Sequence, residues 1–165
     1  MTFSRNLVDR ATAFVQACAQ QELTLSVAES CTGGLLAGLM TEVPGSSFVL
    51  QLGVVCYSRS AKRKVLAVPA QALKHGEVSE QVAMAMAIGV MALGKTDLAA
   101  GITGIAGPGG ERPGKPVGLV YIAAIRRGVA AEVRKFLFGD VGRAAVRTKS
   151  VSAALAMLED LARTK

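Results

Sequence analysis

Residues 26–38 read SVAESCTGGLLAG. The stretch begins as a short buried strand and ends as a helix, with Gly33 and Gly34 at the junction. Between the two stand Glu29, Ser30, Cys31 and Thr32, four groups able to do chemistry. A strand that turns into a helix is the repeating unit of α/β folds. Ligands of such folds gather outside the carboxyl ends of the parallel strands.

The same alternation recurs on both sides of this stretch. Residues 4–21 place Leu7, Ala11, Phe14, Val15 and Cys18 at helical spacing. LTLSVA (23–28) suits a buried strand, and LLAGLMTEV a helix that stops before Pro44. Gly45–Ser47 predicts a turn or a cap, and a second strand lies within 49–58. AKRKVLAVPAQALKHG predicts short helical pieces broken at Pro69. SEQVAMAMAIGVMALG is a helix with Ser79 as its N-cap, and TDLAAGITG is a third strand. A long Gly- and Pro-rich loop fills 104–116. VGLVYIAAI and VAAEVRKFLF form a hairpin through RRG, and residues 143–162 close the chain as a helix. Helical crossovers make the early strands parallel, whereas the helix-free loop makes its flanking strands antiparallel. The expected fold is a single α/β domain over residues 1–165, three-layer α/β/α with a mixed, mostly parallel sheet.

Composition excludes several function classes. The three cysteines, Cys18, Cys31 and Cys56, are scattered, with no metal-ligand spacing, and read as reduced thiols in a cytoplasm. The longest apolar run, 82–94, falls short of the ~20 residues that cross a bilayer, so no membrane association is expected. The formal net charge of +7 is spread over short groups with few aromatics among them. That pattern argues against nucleic acid and fits a small anionic ligand as well or better.

Three segments should converge at the carboxyl ends of the strands: 29–34, 57–62 and 103–110. Ser30 precedes a helix, where a serine is more often a cap than a nucleophile. Helix-start amides near Thr32, Gly33 and Gly34 can also hold an oxyanion. An attacking serine needs a base. The only histidine, His75, sits beside a glycine at a turn and reads as structural. Lys62, five residues after Tyr57, can serve if it is desolvated, although KRK (62–64) alone favours a solvated basic corner. Cys31 is the rival nucleophile. Glu29 can bond a substrate amide, orient Lys62, or lie on the surface near a helix start. TGIAGPGG, with Thr103, Gly104 and Gly107, offers an anion nest. Ser46 and Ser47 follow a glycine and add hydroxyl donors.

Together AESCTGG, VPGSS, GVVCYS…AK, HGEVSE, TGIAGPGG and KPVGLVYIA, in this order over about residues 23–138, resemble the CinA C-terminal domain family. Its standalone members include nicotinamide-nucleotide amidases. The resemblance implies hydrolysis of nicotinamide mononucleotide to nicotinate mononucleotide and ammonia, with no metal or cofactor. It implies a serine nucleophile at Ser30, a lysine base at Lys62 and a tyrosine at Tyr57. It further implies an α/β/α fold that is usually oligomeric. The chain departs from the family pattern at GDVGR (139–143), where a GDR triplet is usual; this bears on Arg143 as a phosphate ligand. It departs again at YSRSAK, which is more basic than the usual version. The alternatives are a non-catalytic nucleotide-binding module and, more weakly, a basic nucleic-acid accessory protein.

Overall fold

Five strands form one sheet in the order β2-β1-β3-β4-β5. They are β1 (Leu25–Glu29), β2 (Leu50–Val55), β3 (Leu98–Gly104), β4 (Leu119–Arg126) and β5 (Glu132–Leu137). The computed structural model describes residues 3–129 and 131–164; the side chain of His75 lies outside the described set. β1 pairs in parallel with β2 and β3, whereas β3–β4 and β4–β5 are antiparallel, so β4 alone opposes the common direction. This is the mixed sheet expected from sequence, and the Gly-rich loop joins antiparallel neighbours as anticipated.

Among the described residues five helices cover the sheet: α1 (Arg5–Gln20), α2 (Leu35–Thr41), α3 (Arg59–Leu66), α4 (Glu80–Gly94) and α5 (Arg143–Arg163). Short 3-10 turns occupy Ser46–Phe48 and Ala72–His75. Strand alternation sends Leu25, Val27, Leu98, Ala100, Ile102, Val120 and Ile122 to a core shared with α1, α2 and α5. The other face meets α3 and α4 through Ala28, Ala99, Leu66, Val82 and Met86. Each fully buried Leu or Ile contributes about 1.5–3 kcal/mol of burial. Helix α4 lies close on β3, since a Cβ on Gly101 would stand 2.4 Å from Ala83 O and 2.6 Å from Ala87 N. The expected cap at Ser79 forms, its Oγ accepting from Val82 N at 3.3 Å, and Ser4 caps α1 in the same way, its Oγ accepting from Leu7 N at 3.4 Å.

The connections β1–α2, β2–α3 and β5–α5 all begin at the same sheet edge, and the segment before α4 returns to it. Helix starts bring outward-facing amides and partial positive charge to that edge.

Candidate active site

The turn after β1 is pinned at both ends. Ser30 N donates to Ile102 O at 3.0 Å and Cys56 N donates to Glu29 O at 2.9 Å. Main-chain pairing thus continues one residue beyond β1 and fixes Ser30 between β2 and β3. The Glu29 side chain is buried under α2. Its carboxylate accepts from Gly34 N (3.1 Å), Leu36 N (3.1 Å) and Ala37 N (2.9 Å). Glu29 is therefore the acceptor for the first turn of α2, and it neither orients Lys62 nor lines the cavity. Gly33 and Gly34 take φ of +63° and +93°, the left-handed region open to glycine. Gly33 N donates to Ser30 O at 3.1 Å and Gly34 N to Glu29, so neither amide is left for a ligand. The amides of Cys31 and Thr32 meet no carbonyl or carboxylate acceptor among the described residues.

Lys62 lies on the inner face of α3 with Leu66, one turn on, while its neighbours Arg63 and Lys64 are exposed. The helix starts at the Ser58 cap, whose Oγ accepts from Ala61 N at 3.1 Å. Lys62 is 1% exposed, and its Nζ donates to Cys56 O (3.0 Å) and Tyr57 O (3.2 Å) and lies 3.1 Å from Ser30 Oγ. Burial holds its pKa below the usual lysine range, opposed chiefly by Glu77, whose carboxylate is 3.9 Å away. The solvated-corner reading of KRK thus fails at Lys62 and holds for the other two.

Cys31 is 5% exposed, and desolvation pushes its thiol up to about 11. A protonated thiol is a poor nucleophile, which weighs against Cys31 as the rival to Ser30. Thr32 is buried with no partner for its hydroxyl among the described residues, and its carbonyl accepts from Arg147 Nη2 at 2.8 Å. Tyr57 is largely exposed. Its carbonyl holds Lys62, while its phenol oxygen accepts from Arg143 Nη2 at 3.0 Å.

Ser30, Cys31, Tyr57, Lys62 and Glu77 share a cavity of about 420 Å³ with the Gly-rich loop and Arg143. Thr103 lines it, although its hydroxyl donates to Glu77 O at 2.7 Å, which ties β3 to the segment before α4. Gly104 must lack a side chain, since a Cβ there would stand 2.7 Å from Val120 and 2.8 Å from Leu119 O. Gly107 O accepts from Arg143 Nη1 at 2.8 Å. In the nest, Ile105 N is spent on Leu119 O (2.8 Å), while the amides of Ala106, Gly107, Gly109 and Gly110 meet no acceptor among the described residues. Ser46 and Ser47 lie elsewhere. They precede β2, whose Leu50 pairs with Leu25 at the start of β1, so they sit at the amino edge, opposite Ser30.

The model of the CinA C-terminal domain matches residues 8–162. A CinA-like protein of Gemmatimonas aurantiaca is 46% identical over 89% of this chain. The chain belongs to the CinA C-terminal domain family. The crystal structure of a competence/damage inducible protein from Agrobacterium tumefaciens is similar with a TM-score of 0.94 at 41% identity, covering 96% of this chain and 97% of that one. A CinA superfamily protein from Escherichia coli follows at TM-score 0.89 and 31% identity, covering 96% of this chain and 93% of its own. The CinA domain described here spans about one third of the length of the Gemmatimonas relative, 34%. Two of its residues escaped the sequence reading. Glu77 was visible only inside HGEVSE, with nothing to say that its carboxylate faces Lys62. Arg147 reaches Thr32 across 115 residues of sequence. Its place four residues after Arg143 on α5 was the one local signal. No helix among the described residues is long and apolar enough to cross a membrane.

Proposed function

We propose that this CinA domain is an amidohydrolase that converts nicotinamide mononucleotide to nicotinate mononucleotide and ammonia. One observation carries the reading. A neutral lysine has two N–H bonds and one lone pair. Lys62 Nζ has two carbonyl acceptors, Cys56 O and Tyr57 O, so its lone pair falls to the Ser30 hydroxyl at 3.1 Å. Ser30 Oγ attacks the carboxamide carbon and its proton passes to Lys62. The Cys31 and Thr32 amides receive the oxyanion. Collapse breaks the C–N bond, and the Lys62 ammonium gives its proton to the departing ammonia. Glu77 offsets the charge on Lys62 while the proton rests there. Water then cleaves the acyl-serine ester with Lys62 again as base, which regenerates Ser30.

The test is ammonia release from nicotinamide mononucleotide by the purified protein and by Ser30→Ala. Loss of one nucleophile typically costs several orders of magnitude in kcat. Turnover in the wild type that Ser30→Ala abolishes supports the assignment; near-normal activity in the variant overturns it. A wild type that binds the nucleotide without releasing ammonia is a binding module.

A further inference from the structure

A second cavity of about 260 Å³ opens beside the first and shares Glu77, Val78, Ile105, Gly110 and Arg112 with it. Its remaining lining adds Arg59, Gly76 and Lys115. Lys115 Nζ is tied to Val78 O at 2.6 Å, whereas the guanidinium groups of Arg59 and Arg112 meet no carboxylate among the described residues. Glu77, the one carboxylate in the lining among the described residues, lies 3.9 Å from Lys62 Nζ. Arg59 is the first residue of α3, where the helix dipole disfavours a cation, and no acidic residue in that turn offsets it. An unfavourable local placement of this kind marks a position kept for function. Arg112 stands on a tight turn closed by Arg112 N to Lys115 O (3.0 Å) and Lys115 N to Arg112 O (2.8 Å). Arg59 lies three residues, about 5 Å of helix rise, from Lys62.

We propose that Arg59 and Arg112 form a phosphoryl-binding subsite that continues the Ser30–Lys62 cavity. Two arginines lining one pocket suit the oxygens of a phosphoryl group. That group is either the phosphate of the mononucleotide or the second phosphate of a dinucleotide that carries the same amide. The inference rests on the amidase reading for its substrate but not for its anion.

The first measurement therefore needs no turnover. Inorganic pyrophosphate is titrated by calorimetry into Ser30→Ala protein, with and without Arg59→Gln and Arg112→Gln, at fixed ionic strength. The arginine substitutions are expected to weaken binding about tenfold or more. Equal affinity with the arginines replaced, or no binding to Ser30→Ala, overturns the subsite. The second measurement compares kcat/KM of wild type and of the Arg59→Gln, Arg112→Gln double variant on nicotinamide riboside, mononucleotide and dinucleotide. A loss on the mononucleotide at least tenfold larger than on the riboside identifies the substrate's own phosphate. A loss confined to the dinucleotide identifies the second phosphate. Equal losses on all three, or none, overturn the proposal. Arginine-dependent pyrophosphate binding with no ammonia from any substrate keeps the subsite and discards the amidase.

Discussion

Arg143 and Arg147 stand one turn apart at the start of α5 and hold the two sides of the candidate site. Arg143 donates to Gly107 O in the Gly-rich loop and to the Tyr57 phenol, while Arg147 donates to Thr32 O in the turn after β1. The Nε of Arg147 is buried without a partner among the described residues. Such an orphan donor costs about 1–3 kcal/mol.

Arg147→Met should leave the fold intact and lower kcat by roughly 10–100-fold, with a smaller change in KM, because a displaced turn misaligns Ser30. Arg147→Lys should recover part of the loss. An unchanged kcat in Arg147→Met would show that the turn needs no brace.

Lys62→Ala and Lys62→Arg should both be nearly inactive, since a guanidinium stays protonated. Wild-type activity should rise with pH through an amine pKa below the usual lysine value. Stability carries the same signature. With its folded pKa lowered, the native state binds fewer protons than the unfolded chain between that value and about 10.4. Wild-type stability therefore rises with pH in that window, relative to Lys62→Met. Melting curves of the two across pH check this, and a constant difference between them would contradict a depressed amine.

Glu29→Ala should destabilise the protein by about 2–4 kcal/mol, because three amides, at the cap and in the first turn of α2, lose a buried acceptor together. Activity should fall with it, as the same turn carries Ser30. Chemical denaturation of the variant measures the loss. A change under about 0.5 kcal/mol, the scale of an ordinary surface substitution, would contradict the capping role.

Cys31→Ala should keep substantial activity. A thiol at about 11 leaves roughly a thousandth of the residue as thiolate at pH 8, and burial shields that fraction. Iodoacetamide should label the native protein at Cys31 far more slowly than the unfolded chain. Rapid native labelling, or a dead Cys31→Ala beside an active Ser30→Ala, would move the nucleophile one residue.

The fold was legible because its signals are periodic and local: Ser79 before an apolar helix, Pro44 after one, and a glycine-rich loop too irregular to cross the sheet. Ser30 was legible for the same reason, as a side chain at a strand-to-helix junction. Lys62 was obscured by its basic neighbours. What separates it from Arg63 and Lys64 is the phase of α3, visible only through Leu66 four residues on. Ser46 and Ser47 misled because chemical type was read without the edge of the sheet, although their place before β2 already set it. Glu29 and Arg147 act through contacts with main-chain groups, which leave no mark in side-chain chemistry.

Ser30 and Lys62 are separated by 32 residues and belong to different β–α units. A nascent or unfolded chain carries an ordinary alcohol and an ordinary ammonium, neither of which acylates. Under the proposed mechanism, the reactive pair exists only once β1 and β2 come together and Lys62 is buried beneath α3. A local breach that rewets Lys62 would then recharge the amine and silence the site, even while the rest of the sheet stands.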